Sequence, residues 1–269
     1  MSLASSKTPP SAKPAFDLDY SIHDFEADPH RDTQLFFARI NRAMLQEGVV
    51  PGGRVLDVAC GAGHMAMSLH QHGCEAWGID PSGEMLGIGR WLFPNDKLML
   101  VRGIGESLPF RSGAFDRVVC KGSLDHFVDP YVFMREAARI VAPDGRVVIA
   151  LANYESVSCK LGLLRERLVQ TFVRGNGALR RGYWEIPDDH FHKGKLDFVE
   201  GLGGSWLQLE RRYGISLLWL LPRWGKLLDR LPKELSLGCW SALDRVARDR
   251  PAWADMIISV WRRYPEGAP

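Results

Sequence analysis

Four residues in a short stretch of the chain have the types and spacing to bind a nucleotide-like ligand. Asp57 stands four residues before Gly61, and Gly63 follows. Asp80 comes at the end of the next apolar run. Glycines, which have no Cβ atom, let a ligand lie against the backbone and against the positive end of a following helix. A carboxylate at Asp80 can accept both hydroxyls of a ribose, so the spacing predicts a nucleotide site.

The charge of the expected ligand depends on Asp57. A dinucleotide site needs the spacing G-x-G-x-x-G, which places a pyrophosphate on a helix N-terminus, and residues 61–66 nearly match it. A carboxylate at Asp57 would repel a pyrophosphate, whereas it suits a ligand that carries an amino group and a sulfonium. A ligand that is cationic at one end is therefore favoured, and an NAD-dependent oxidoreductase is the weaker alternative.

A strand, a turn and a helix must position these residues. The apolar run at 54–59 predicts a buried parallel strand, the glycines predict a turn, and a helix is expected to about His72. Further strands are predicted at 75–79, 97–102, 115–120, 146–152, 205–213 and 255–263. In open α/β sheets ligands bind outside the carboxyl ends of the strands, so the site is expected at that edge.

The order of these motifs resembles that of the class I S-adenosylmethionine-dependent methyltransferases. The family's first motif is an acidic residue followed by x-G/A-x-G-x-G, and it is matched by Asp57, Ala59, Gly61 and Gly63. Further segments follow in the family's order at 78–86, 106–110, 115–120 and 143–149. The likeness is to the small-molecule type, similar to the methyltransferases of ubiquinone and menaquinone biosynthesis, and it is strong over 54–153. It implies a methyltransferase with a Rossmann-like, doubly wound α/β sheet of seven mainly parallel strands and an antiparallel last strand.

The resemblance also implies which residues contact S-adenosylmethionine. They lie in the first motif, after the second and third strands, and at the end of the fourth: Asp57, Ala59, Gly61, Gly63, Asp80, Pro81, Met85, Gly105, Glu106, Lys121 and Ser123. The chain departs from the family at Ile104, where an aspartate usually receives the adenine amino group. Adenine recognition is then left to backbone groups around Gly105 or to Glu106.

Three histidines are candidates for a general base. His126 follows the fourth strand, and His190 and His192 lie in a later excursion of the chain. A neutral imidazole can take a proton at physiological pH. For His126 the alternative is a structural role that closes the cofactor pocket. Asp189, His190 and His192 do not predict a metal site, because further ligands with suitable spacing are missing.

The chain is predicted to divide into a tail and one domain. Residues 1–16 are rich in Ser, Pro and Lys and predict a disordered tail, and 17–269 form a single methyltransferase domain. Within it 54–153 is the cofactor-binding core. The segments 154–204 and 216–254 are insertions expected to cover the substrate.

The insertions favour a small apolar or aromatic acceptor and O- or C-methylation. Seven of the nine tryptophans come after Trp91, which favours an aromatic-walled pocket. Residues 219–231 have helical spacing, with Arg223, Lys226 and Arg230 opposite the apolar side. Such a helix could contact a membrane surface, although packing on the core or over an apolar substrate is the simpler interpretation. A protein that binds S-adenosylmethionine without transferring its methyl group is the alternative function.

Composition narrows the class of partner and the compartment. A net charge of +2 gives no field that favours nucleic acid, and residues 121–124 lack the Asn/Asp-Pro-Pro-aromatic segment of enzymes that methylate bases. Five scattered cysteines without C-x-x-C spacing favour a reducing compartment. No run of eighteen apolar residues predicts a membrane span, and 1–16 lacks the apolar centre of a secretory signal. A cytoplasmic location is therefore predicted.

Overall fold

The computed structural model describes residues 31–94, 98–172, 191–219, 221 and 224–264. The predicted tail and His190 lie outside these residues. The described strands are β1 (Arg54–Val58), β2 (Glu75–Asp80), β3 (Met99–Arg102), β4 (Phe115–Lys121), β5 (Val141–Ala152), β6 (Leu207–Ile215) and β7 (Met256–Arg263). The described α-helices are α1 (Arg31–Gly48), α2 (His64–Gln71), α3 (Gly83–Leu92), α4 (Pro130–Ile140), α5 (Val157–Phe172), α6 (Leu196–Gly201), α7 (Trp224–Asp229) and α8 (Lys233–Asp249).

The described strands form one sheet in the order β3-β2-β1-β4-β5-β7-β6. Strands β1 to β5 pair in parallel, and β7 lies antiparallel between β5 and β6. Buried runs such as Val55 with Leu56, or Val118 with Val119, are typical of strands that helices cover on both faces. The arrangement confirms the predicted doubly wound sheet with an antiparallel last strand.

Helices bury apolar clusters on both faces of the sheet. On one face α1, α2 and α8 contribute to a cluster with the strands, whose members include Phe36, Ile40, Met44, Leu69, Val119, Val148, Trp240 and Ile258. On the other face α4 packs Phe133, Ala137 and Ile140 against the sheet. Their three- and four-residue spacing places these side chains on one side of the helix. Truncation of Phe133 to alanine is expected to cost about 3–5 kcal/mol of folding free energy.

Several predicted boundaries need correction. Strand β5 begins at Val141, not at 146, because Val141 pairs with Phe115 before the register shifts between Phe115 and Arg117. Strand β6 is Leu207–Ile215 and not 205–213. In the described part of 219–231 the helix starts only at Trp224. The sequence has a proline at 222, and a proline disfavours helical backbone at the residue before it.

Tryptophan enrichment is a poor guide to a pocket in this chain. Trp240 and Trp261 are fully buried members of the two core clusters, so these two rings do not line an open cavity. Large aromatic side chains bury more apolar area than any others and commonly fill cores. A high tryptophan content in this chain therefore reflects packing at both faces of the sheet and does not by itself indicate a ligand pocket.

The second insertion packs against α1 through a strained turn. Ser216 and Leu218 have φ values of 64° and 70°, which are uncommon for residues other than glycine. The Asp255 carboxylate accepts hydrogen bonds from Ser216 Oγ at 3.1 Å and from the Trp219 amide at 2.9 Å. The ring of Trp219 stacks on Phe36 with centroids 3.9 Å apart.

In the described part of the chain, none of the helices is long and apolar enough to cross a membrane.

Candidate functional site

The strand register places three predicted site residues side by side. Val58 of β1 pairs with Ile79 of β2 and with Cys120 of β4. The next residue along each chain segment is Ala59, Asp80 and Lys121 respectively. Because these strands are parallel, the three residues lie together at the carboxyl edge of the sheet, where ligands bind in such folds.

The turn after β1 has the backbone that the glycines predict. Gly61 and Gly63 have φ values of 55° and 81°, and Ala59 also has a positive φ of 55°. A Cβ atom on Gly63 would lie 3.1 Å from Leu100 Cδ2, so a side chain there is disfavoured by contact as well as by conformation. Gly63 precedes α2 directly, so the turn leads into the positive end of that helix.

Asp80 connects this turn to the next strand. Its Oδ2 accepts a hydrogen bond from the Gly61 amide at 2.7 Å, and its Oδ1 accepts one from the Ser82 amide at 2.9 Å. Ser82 in turn caps α3 by accepting from the Met85 amide at 3.2 Å. Each carboxylate oxygen has two acceptor positions, so these bonds are compatible with acceptance of ribose hydroxyls. The Met85 side chain also reaches the turn, since its Cε would lie 3.4 Å from a Cβ on Gly61.

Asp57 is a buried carboxylate with an unused acceptor. Only 2% of the residue is exposed, and among the described residues Oδ2 has no hydrogen-bond partner. Burial raises the pKa of Asp57 to about 7, while Lys121 and the Ala66 amide act to lower it. An uncharged or half-charged carboxylate in an apolar surrounding becomes fully charged when a cation approaches.

Lys121 is the cation that acts to lower the pKa of Asp57. Its ammonium donates a hydrogen bond to Asn41 Oδ1 on α1 at 2.9 Å. Burial lowers the pKa of Lys121, and the Asp57 carboxylate opposes this effect. Ser123 donates from Oγ to the Lys121 carbonyl at 3.3 Å, which fixes the backbone where β4 ends.

The segment expected to recognise adenine is joined to the chain after β4. A Cβ atom on Gly105 would lie 2.4 Å from Phe127 Cε2, so any larger residue would have to displace the buried Phe127 ring. Glu106 Oε1 accepts hydrogen bonds from the amides of Val128 at 2.9 Å and Asp129 at 3.4 Å. The Glu106 carboxylate therefore joins its own segment to the one that follows β4, and its role in adenine recognition stays a prediction.

Two of the three candidate bases lie in the described structure. His126 is half-buried and ends a 3₁₀ turn that follows β4. His192 Nε2 lies 3.2 Å from the Val128 carbonyl, and its ring stacks on Phe198 with centroids 5.8 Å apart. The His192 amide donates to the Asp125 carbonyl at 3.2 Å. The first insertion is thus docked beside His126, which brings the two histidines to the same side of the site.

Some contributors to the site could not be predicted. Asn41 is a polar residue in the amphipathic α1, and its partner Lys121 is eighty positions away. Asn153 Nδ2 donates to the carbonyls of Pro251, Ala252 and Ala254, which ties the end of β5 to the start of β7. Asn41 is one of many polar residues on this helix, so no local signal distinguished it. Among the described residues there is no group of three or more His, Cys, Asp or Glu that could hold a metal.

The residues at this edge fit S-adenosylmethionine in its separate parts. The glycine turn leads into the positive end of α2, and Asp80 is placed where a ribose binds in related folds. Asp57 Oδ2 is an unused buried acceptor that suits an ammonium group. Of the described residues that influence Asp57, only Lys121 carries a positive charge that would repel the cationic end of the ligand.

One known protein family matches the stretch that contains these residues. Residues 56–149 match the family described as "Methyltransferase domain". The ubiquinone biosynthesis O-methyltransferase of Sodalis glossinidius is 32% identical over 118 residues, which is 43% of this chain and 47% of that protein. The chain spans about half the length of the curated relatives it matches first.

Solved structures share the fold over most of the chain. The YcgJ protein of Bacillus subtilis has a TM-score of 0.53 at 18% identity, covering 85% of this chain and all of that one. The structure of the [4+2]-cyclase SpnF has a TM-score of 0.57 at 18% identity, covering 90% and 86%. At these identities the likeness concerns the fold alone. Residues 56–149, which carry the motifs described above, are thus similar to a methyltransferase domain.

Proposed function

We propose that this protein transfers a methyl group from S-adenosylmethionine to a small apolar or aromatic acceptor, by O- or C-methylation. The observation that carries the proposal is the join of Asp80 to the glycine turn at Gly61, beside the buried Asp57, within residues that match the methyltransferase family. When bound, the cofactor supplies a methyl group already activated by its sulfonium. The chain must then align the acceptor, exclude water and, for an oxygen or carbon acceptor, take up a proton.

Residues at the ends of β1 and β2 bind the cofactor. Asp80 accepts from the ribose, the backbone of Gly61 and Gly63 contacts the nucleoside, and Asp57 faces the ammonium group. These residues sit where β1 and β2 end, held by the sheet pairing and by the Gly61–Asp80 hydrogen bond. Sites built on sheet ends keep their geometry better than sites on free loops.

The acceptor end falls to the two insertions and the histidines. The first insertion is tied to the segment after β4, since the Phe191 amide donates to the Asp125 carbonyl at 2.8 Å. His126 and His192 flank this junction, and either of them, or His190, would take the proton of a hydroxyl or an activated carbon. Similarity to ubiquinone biosynthesis O-methyltransferases supports an O-methylated aromatic acceptor.

A different chemistry on the same fold is the second candidate. One structural neighbour is a [4+2]-cyclase, so the fold does not by itself require methyl transfer. A protein that binds S-adenosylmethionine without transferring the methyl group would keep the cofactor geometry and lack a labelled product. The two candidates therefore make opposite predictions in a transfer assay.

The decisive assay follows the methyl group. The protein is incubated with methyl-labelled S-adenosylmethionine and a metabolite extract, and labelled products are identified by mass spectrometry. We expect a labelled small molecule that is absent with Asp80→Ala and present with Asp144→Ala, an exposed carboxylate near the start of β5. Binding of S-adenosylhomocysteine without any labelled product would favour the non-transferring alternative.

A further inference from the structure

Among the described residues, two oppositely charged side chains at the site have few hydrogen-bond partners. The Lys121 ammonium has one hydrogen-bond acceptor in the described part of the chain, the amide oxygen of Asn41 at 2.9 Å, and no described carboxylate within 4 Å. Asp57 Oδ2 is buried and, among the residues that the structure covers, accepts no hydrogen bond. Both side chains leave neighbouring strands at the carboxyl edge of the sheet. The two side chains are close enough for each to shift the pKa of the other, so an anion-binding and a cation-binding group lie near each other at this edge.

Burial makes these two groups costly in the free protein. An ionised group taken out of water needs a partner of opposite charge with good hydrogen-bond geometry. Burial raises the pKa of Asp57 and lowers the pKa of Lys121, and each residue offsets only part of the effect on the other. Burial lowers the pKa of His64 at the start of α2, and the charge of Lys121 lowers it further, so that charge also reaches the turn. A ligand with one carboxylate and one ammonium, an α-amino acid, would satisfy both groups.

We propose that Lys121, held in place by Asn41 of α1, binds the α-carboxylate of the cofactor's amino-acid end, while Asp57 faces its ammonium. The proposal rests on the proposed function, since it assigns one part of S-adenosylmethionine to one side chain. The partly buried ammonium at the end of β4, which has only the Asn41 amide oxygen as a hydrogen-bond acceptor among the described residues, then gains an ion pair. The bond from Asn41 makes α1 part of the cofactor site, so binding of the carboxylate is coupled to the position of that helix.

The test compares ligands that differ only in the amino-acid end. Affinities are measured by calorimetry for S-adenosylhomocysteine, for its decarboxylated analogue, which keeps the amine, and for 5′-methylthioadenosine, which lacks the whole amino-acid end. We expect the wild-type protein to prefer S-adenosylhomocysteine over the decarboxylated analogue by about 10–100-fold, the value of one charge-assisted hydrogen bond. In Lys121→Met that ratio should fall to about 1–3-fold, with 5′-methylthioadenosine affinity changed by less than about threefold.

Two further variants separate the carboxylate contact from general effects on folding. Lys233→Met removes an exposed lysine at the start of α8 and should leave the ratio unchanged. Asn41→Leu should lower the ratio by a smaller factor than Lys121→Met, because the ammonium keeps its charge and loses its tether. Asn41→Leu also provides the test if Lys121→Met does not fold.

The outcomes distinguish a wrong assignment of Lys121 from a wrong proposed function. A wild-type protein that binds both adenosyl ligands equally, or a Lys121→Met variant that keeps the preference, overturns the assignment of Lys121 and leaves the proposed function standing. Absence of binding by every adenosyl ligand overturns the proposed function itself. Unchanged ligand ratios with lost methyl transfer in Lys121→Met would place Lys121 at the acceptor and overturn the inference.

Discussion

Asp80 Oδ2 accepts a hydrogen bond from the Gly61 amide at 2.7 Å, which joins the end of β2 to the turn after β1. Its other oxygen accepts from the Ser82 amide at 2.9 Å. The carboxylate expected to bind the ribose therefore also fixes the backbone that the nucleoside would contact. Ligand recognition and local structure depend on the same side chain, so variants of Asp80 affect both.

Replacement of Asp80 should lower stability before any ligand is added. In Asp80→Ala two amides lose their acceptors, and we expect a loss of about 1–3 kcal/mol in the free energy of unfolding, measured by urea denaturation. Asp80→Asn keeps one amide oxygen as an acceptor and should lose less. Equal stability of Asp80→Ala and the wild-type protein would show that these two hydrogen bonds contribute nothing net.

Asp57 should make stability fall as the pH rises. Burial raises its pKa from an ordinary 3.8 to about 7, so the folded protein holds this proton more tightly than the unfolded chain. The stabilising contribution is fully present below about pH 4 and is lost as the pH rises to about 7. Asp57→Asn removes it and should be more stable than the wild-type protein at about pH 8, on the order of 2–4 kcal/mol.

The pH experiment needs the difference between two proteins. Asp255 has a pKa raised by burial to about 6, so its effect overlaps with that of Asp57 in the wild-type curve. Subtracting the Asp57→Asn curve from the wild-type curve, both from chemical denaturation at several pH values, isolates Asp57. A difference that stays constant from about pH 4 to 8 would contradict the raised pKa.

Ala59 should tolerate glycine and reject a branched side chain. Its φ of 55° is unfavourable for a residue with a Cβ atom, by about 1–2 kcal/mol. Ala59→Gly relieves this strain and adds flexibility to the unfolded chain, so its stability should stay within about 1 kcal/mol of the wild type. Ala59→Val should lose about 1–3 kcal/mol, because β-branched residues avoid this backbone region. Thermal unfolding of the two variants gives the order, and a stable Ala59→Val would refute the strain.

The histidines should separate proton transfer from positioning. Once an acceptor is known, His126→Ala, His190→Ala and His192→Ala are compared by turnover and by affinity for S-adenosylhomocysteine. Removal of a general base should lower turnover by about 10²–10⁴-fold with nearly unchanged cofactor affinity. His192→Phe is a useful comparison, since it can keep the stacking on Phe198 and lacks a base. Full turnover in all the alanine variants would leave alignment alone as the source of catalysis.

The sequence was informative where local spacing determines structure. The two glycines, the carboxylates at Asp57 and Asp80, and the buried strand before them predicted the turn and its place at the carboxyl edge of the sheet. The seven mainly parallel strands and the antiparallel β7 followed from the family resemblance, whereas the strand order was not predicted. These features depend on residues close together along the chain or on a motif order shared by the family.

Contacts between distant residues could not be predicted in the same way. The Asn41–Lys121 hydrogen bond joins α1 to β4, and the Asp255 carboxylate shapes the turn at Ser216 from thirty-nine positions away. Neither pair has a local pattern. The early start of β5 at Val141 depends on pairing with Phe115, which outweighs the turn preference of Pro-Asp-Gly. The fold could therefore be predicted from the sequence, whereas the hydrogen-bonded pairs of distant residues around the site could not.

Calorimetric titration with S-adenosylhomocysteine, with NAD as the comparison ligand, tests the central claim most directly. We expect S-adenosylhomocysteine to bind at one site, NAD to show no binding, and Asp80→Ala to weaken S-adenosylhomocysteine binding by about 30–1,000-fold, equivalent to about 2–4 kcal/mol. The measurements are made at a temperature where the variant remains folded. Tight S-adenosylhomocysteine binding that Asp80→Ala leaves unchanged would contradict the assignment of this edge of the sheet as the cofactor site.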